Sequence, residues 1–162
     1  MNIISIDNYD INKFSNFAQE VFIDYYDSLI GHNQATYMAN LFLSVKTINS
    51  LLIKGAIFKL VIDNNELVAF IEYIKEKDKV FLSKLYVRKD KRGCGIGKFM
   101  LKDCLDYAKE NNKNSIYLTV NKGNTNSINV YLHLGFKIID AQVNDIGNGY
   151  VMDDYICELQ LN

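Results

Sequence analysis

The chain contains no proline, only three cysteines and two histidines, and no excess of either charge. The missing proline accompanies an abundance of Asn, Ile and Lys and reads as compositional bias of the source genome, without functional meaning. Cys94, Cys104 and Cys157 are odd in number, scattered and without a Cys-x-x-Cys pair, so no zinc pattern is present and a reducing cytoplasm is the expected compartment. His32 and His133 lack nearby partners for metal or nucleophilic chemistry, and no metal is expected. Eighteen Lys and Arg against nineteen Asp and Glu leave a net charge of −1, which argues against a nucleic-acid partner, whose footprint is a basic excess. The start, Met1-Asn2-Ile3-Ile4-Ser5-Ile6-Asp7, has neither the basic region nor the apolar run of a signal peptide. No window approaches the ~18 consecutive apolar residues of a membrane span, so no membrane partner is expected. What is present is a chain of 162 residues, 49% hydrophobic, enough for one core and one domain over 1–162.

No linker, repeat or low-complexity run divides the chain, and its elements read as one alternating series. Asn2 to Ile6 reads as a strand, Asp7 or Asn8 as the cap of a helix running to about Tyr26, and 33–53 as a second helical region ending near Gly55. From Ala56 the period becomes strand-like: Ala56–Ile62, the Asp63-Asn64-Asn65-Glu66 turn, Leu67–Ile74, a polar turn and Val80–Val87. Gly95 to Asn111 is an amphipathic helix with Ile96, Met100, Cys104 and Ala108 on one face. Ile116 to Val120 is a strand, Asn124 to His133 a helix ended by Gly135, and Phe136–Val143 and Tyr150–Leu161 two closing strands joined through Asp145 to Gly149. The expected fold is a mixed α/β, mostly antiparallel sheet with helices on both faces, in the order βαα-βββ-αβα-ββ.

Between the third of the meander strands and the amphipathic helix lies Arg92-Gly93-Cys94-Gly95-Ile96-Gly97-Lys98. Unpaired amides of a first helical turn, with roughly half a positive charge from the helix dipole, suit a phosphate. Gly93, Gly95 and Gly97 clear side chains from the ligand and permit positive φ, and Arg92 and Lys98 add full charges. A nucleotide P-loop would need Gly at 92 and Ser or Thr at 99, where Arg92 and Phe99 stand. A dinucleotide fingerprint would need a small residue at Lys98. The remaining pattern is Arg-x-x-Gly-x-Gly.

That pattern resembles the pyrophosphate loop of the GNAT (Gcn5-related N-acetyltransferase) superfamily. Leu82 to Val87 occupies the place of the family's splayed fourth strand, and Asn121 to Phe136, with Asn124, Tyr131 and Gly135-Phe136, looks like its second motif. The resemblance implies acetyl-CoA as cosubstrate, bound by the loop from Arg92 through Lys98 including Cys94 and Ile96, by the backbone of Leu85, Tyr86 and Val87, and by Asn121, Asn124 and Ser127. It also implies that Tyr131 gives a proton to the departing thiolate, which a phenol with a pKa of roughly 10 can do. Direct transfer needs no acyl-enzyme, so Cys94 is read as loop and not as nucleophile.

The acceptor amine must lose a proton before it attacks. Ser83 and Lys84 stand where some relatives carry a glutamate; Glu72 on the preceding strand is the remaining carboxylate, with ordered water as the alternative. Asp145, Asp153 and Asp154 with Tyr150 and Tyr155, and Asp24 to Asp27 at the end of the first helix, form an expected acidic, aromatic rim for cationic amines. With Ser83 to Val87, this segment resembles bacterial spermidine/spermine-type acetyltransferases and implies a small amine, among them a polyamine. A protein amine, a non-catalytic acyl-CoA-binding module and a binder of another nucleotide stay open. The final hairpin offers a surface for a homodimer.

Overall fold

Asp10 starts the first long helix by accepting the Asn12 and Lys13 amides at 2.9 and 3.0 Å, satisfying two donors that the helix cannot. The computed structural model, which describes residues 1–161, thus moves the expected cap from Asp7 or Asn8, which lie in a 3-10 turn over Ile6–Asn8 after the short strand β1 (Asn2–Ser5). Helix α1 (Ile11–Ile30) also runs past Tyr26, ending only at Gly31 with φ 88°. The expected helical region 33–53 is two helices, α2 (His32–Leu43) and α3 (Val45–Ile53). Ser44 breaks it: its backbone is extended and its hydroxyl accepts the Thr47 amide at 3.2 Å.

The meander follows as β2 (Ile57–Asp63), β3 (Glu66–Lys75) and β4 (Lys79–Val87), then α4 (Ile96–Glu110), β5 (Ser115–Asn121), α5 (Thr125–His133), β6 (Lys137–Gly147) and β7 (Tyr150–Gln160). The strands form one sheet in the order β1-β2-β3-β4-β5-β7-β6, antiparallel everywhere except between β4 and β5. The loop expected between the closing strands shrinks to a tight turn, because Asn148 and Gly149 both take positive φ (55° and 77°), the geometry of a two-residue hairpin.

Helices cover both faces. On one, Ile96, Met100, Leu101, Cys104 and Ala108 of α4 pack against Ile71, Leu82, Ile116 and Leu118. On the other, Phe14, Ala18 and Phe22 of α1 and Met38 and Leu43 of α2 close over Phe58, Leu60 and Phe70. A strand buried on both faces loses the in–out alternation of an exposed sheet, and β3 is buried continuously from Leu67 to Tyr73. Glu72 falls inside that run with no exposure, not on an exposed strand face. Its Oε2 meets Lys84 Nζ, directly across on β4, at 2.5 Å. No helix among the described residues is long and apolar enough to cross a membrane.

The buried pair gives a first prediction. Lys84→Met leaves a carboxylate sealed without its cation and should lower stability in urea titrations by about 3 kcal/mol, whereas Glu72→Leu/Lys84→Met should recover most of that loss. Equal losses in the two variants would show that the charge pairing is irrelevant.

Candidate active site

The site begins with a change of register. β3 pairs Glu72 with Lys84 but Tyr73 with Leu82, so Ser83 is an extra residue in β4. Such a bulge bends the strand and resets which face each side chain takes: Leu82 and Leu85 both join the α4-side core, and Tyr86 joins the α1–α2 side. β4 pairs with β5 only from Lys79 to Phe81, against Ser115 to Tyr117, and beyond the bulge the two strands part. Arg88 N–H donates to Val68 on the β3 side, so by strand alternation the backbones of Leu85 and Val87 face the opening. Val87 C=O there accepts Arg92 Nε at 2.9 Å.

The opening is a cleft of about 420 Å3 whose walls include Leu85, Tyr86 and Val87 from β4 and Asn124, Ser127 and Tyr131 from the start and middle of α5. Its far end is the glycine loop. Gly93 and Gly95 have φ of 76° and 82°, which a residue with a Cβ adopts only under strain. Gly97 does not have positive φ; a Cβ there would sit 3.6 Å from Leu85 Cδ2, so its smallness keeps the cleft clear instead. The first backbone bond of α4 runs from Phe99 N–H to Gly95 C=O, leaving the amides of Ile96, Gly97 and Lys98 at the cleft without helical partners. Arg92, Gly93, Gly95, Ile96, Gly97 and Lys98 all line this end.

Two residues expected here lie elsewhere. Cys94 is exposed, its thiol turned back to Arg92 C=O at 3.7 Å, and it contributes no wall. Asn121 lines a different cavity on the α1–α2 side, and its Oδ1 accepts the Gly123 amide at 2.8 Å. Asn126 lines the cleft instead, a helix residue that nothing in the sequence distinguished from its neighbours.

Tyr25, expected at the acceptor rim, crosses the cleft. Its hydroxyl donates to Asn124 Oδ1 at 2.9 Å and lies 2.6 Å from Ser127 Oγ, while the Arg92 guanidinium stacks 5.1 Å from its ring and reaches Asp24 at 3.7 Å. Asn124 meanwhile caps α5 through the Ser127 amide at 3.3 Å. Tyr131 stands edge-on to Phe136, ring centroids 5.5 Å apart, and burial pushes its phenol well above the ordinary range, with Tyr26 and Tyr25 adding to the effect. Burial likewise raises Tyr26 to about 12 and Tyr86 well above its usual value, and the two hydroxyls lie 3.1 Å apart.

The second cavity, about 170 Å3, opens on the other face and shares Tyr26, Ser83, Lys84, Tyr86 and Thr119 with the cleft. Glu72 reaches neither space; Lys84 stands between, so the carboxylate expected as base lies behind a lysine. Most carboxylates of the expected acidic rim already have partners. Asp153 pairs with Lys122 at 3.0 Å, Asp27 with His32 at 2.8 Å and Asp24 with Arg92, and Asp145 accepts the Gly147 amide at 2.8 Å. Tyr150 packs on Tyr37, ring centroids 5.3 Å apart, and Tyr155 faces the α4-side core. Of the rim carboxylates only Asp154 lines the cavity, together with Tyr26.

The chain matches the model of the acetyltransferase (GNAT) family over residues 16–136. Its fold superposes on solved structures across nearly its full length. The PaiA N-acetyltransferase of Thermoplasma acidophilum in complex with coenzyme A has a TM-score of 0.81 and 21% identity, covering 99% of both chains. A GNAT-family acetyltransferase of Staphylococcus aureus gives 0.71 and 22%, again over 99% of both. The ribosomal-protein-S18-alanine N-acetyltransferase of Escherichia coli gives 0.71 and 19%, over 99% of this chain and 93% of that one. No match was found among curated proteins. A parted β4 and β5, a glycine loop opening α4 and a family match over the greater part of the sequence agree: the chain belongs to the GNAT acetyltransferase family.

Proposed function

We propose that the protein moves the acetyl group of acetyl-CoA to a primary amine by direct attack. The observation that carries this reading is the open edge of β4, which joins three unpartnered amides of α4 at one end to Tyr131 at the other along one cleft. The amides, with Lys98 and the loop backbone, receive the pyrophosphate. Leu85 and Val87 offer backbone donors and acceptors to the pantetheine amides, as a missing sheet neighbour would, and an amide on this edge polarises the thioester carbonyl. Asn124 and Ser127 are tied to Tyr25 in this structure and act on the ligand by holding α1 across it.

The amine nitrogen bonds to the thioester carbon, the C–S bond breaks, and the thiolate takes the Tyr131 proton. Burial holds the phenol protonated at neutral pH, and a thiolate leaving beside it would need a proton, so the acid is present where it is needed. A second cavity meeting the cleft at Tyr86 and Thr119 supports an acceptor arriving from the opposite face. Its small volume favours a small amine over a polypeptide segment.

Purified protein with acetyl-CoA and a panel of primary amines should release free thiol; tight CoA binding without turnover on any amine would instead mark a binding module. Tyr131→Phe should lower kcat by about 100-fold with little change in KM for acetyl-CoA, and wild-type turnover would remove Tyr131 as the acid. Gly95→Ala forces a side chain into positive φ and should weaken CoA binding at least about fivefold by calorimetry; unchanged affinity would mean that the loop does not hold the pyrophosphate.

A further inference from the structure

The smaller cavity holds a buried carboxyl group without a partner. Asp154, on β7, is 3% exposed, and its Oδ2 is fully shielded with no hydrogen-bond partner among the described residues. The groups around it account for every nearby cation. From β4, Lys84 is committed to Glu72 at 2.5 Å; from the turn after β5, Lys122 is committed to Asp153 at 3.0 Å. Helix α1 contributes the Tyr26 phenol and β4 the Tyr86 phenol, both held neutral by burial, and α2 contributes uncharged Gln34, Met38 and Phe42. A buried carboxylate left over after such pairing is unfavourable, and the cost is relieved by a proton or by a cation that enters the cavity.

The walls select what that is. Phe22, Tyr26 and Tyr86 form an aromatic corner, Phe22 lying 4.6 Å from Tyr26 and 5.6 Å from Tyr86 between ring centroids, whose faces attract a cation. Met38, Phe42 and Phe81 make the remainder apolar. The volume of about 170 Å3 is below the roughly 300–1,000 Å3 of drug-sized pockets, so the occupant is small. Asp154 sits opposite Asn121 in the β5–β7 register, and Thr119, which borders both spaces, is two residues back along β5 on the same face, ~7 Å away.

We propose that this cavity is the acceptor site for a small primary amine with a single cationic head and a slender alkyl or aralkyl body, and that Asp154 holds the ammonium and accepts its proton. The proposal rests on the acetyl-transfer reading. The ammonium passes one proton to Asp154, and the neutral nitrogen attacks the thioester carbon. The C–S bond breaks, the thiolate leaves with the Tyr131 proton, and the second proton on nitrogen restores the phenol. Asp154 then releases its proton to solvent, so each turnover yields amide, free thiol and one proton. Burial, reinforced by Asp153, raises the Asp154 pKa and makes it a better proton acceptor than an exposed carboxylate. A polycation finds less here, since the rim carboxylates that would meet its other charges are already engaged.

The test is equilibrium binding to the CoA-saturated protein, followed by thermal shift and calorimetry with phenethylamine, its neutral analogue 2-phenylethanol, and spermidine. Phenethylamine should bind at least about tenfold more tightly than the alcohol. Asp154→Asn should bring the two within about twofold while leaving CoA affinity intact. With turnover, wild-type kcat/KM should fall as pH drops through the raised Asp154 pKa, and Asp154→Asn should remove that limb. Equal binding of amine and alcohol, an unaltered preference in Asp154→Asn, or binding of spermidine without phenethylamine would overturn the proposal. Asp154-dependent amine binding without thiol release would remove the acetyl-transfer reading and the proton step with it, and leave the ammonium site standing.

Discussion

β4 cannot stay paired with β5 once Ser83 is inserted into it. Pairing ends at Phe81, and the strands diverge within a sheet that is otherwise continuous from β1 to β6. Open backbone in a protein interior needs a partner, and an extended amide-bearing ligand is one. The same extra residue puts Leu85 on the α4 face and Tyr86 on the α1–α2 face, so β4 furnishes one wall for each of two spaces. The glycine loop matters because β4 delivers it to the end of this gap, where α4 starts with unpartnered amides.

Electrostatics then separates the two spaces. The cleft end is positive through helix amides and Lys98, whereas the smaller cavity is left with one unpartnered carboxyl group, Asp154, after its single lysine, Lys84, is paired. The Glu72–Lys84 pair follows from the β3–β4 register; without Glu72, Lys84 would present a free cation to the smaller cavity and, under the proposed reading, repel an ammonium there. A buried ion pair adds little net stability compared with an apolar one. Its value at this position is that it removes a charge from a wall shared by both spaces.

The parts legible in the sequence are those set by local chemistry. The glycine loop, the apolar face of α4 and the Gly135 helix stop depend on residues adjacent in sequence, and each lies where its pattern indicated. The Ser44 break was equally local, a serine three residues before Thr47, but the apolar content on both sides concealed it. The burial of Glu72 is hidden from the sequence because alternation presumes one wet face, and β3 has none from Leu67 to Tyr73. Asp154 and Asp153 are indistinguishable as neighbours in a polar stretch. Pairing of β7 with β5 decides that one faces Lys122 and solvent while the other faces Tyr26 and the cavity. Tyr25 is illegible for the same reason, since its partners Asn124 and Ser127 lie about a hundred residues along the chain.

Because Tyr26, Ser83, Lys84, Tyr86 and Thr119 border both spaces, what fills one completes the wall of the other. Under the proposed reading, a ligand threaded along β4 would close the floor of the smaller cavity and exclude water from around Asp154, which would strengthen the attraction of its carboxylate for an ammonium. The Tyr26–Tyr86 hydroxyl pair lies at that boundary and remains neutral, so it adds no competing charge there. On that proposal, donor binding before acceptor binding is the order that the shared wall favours.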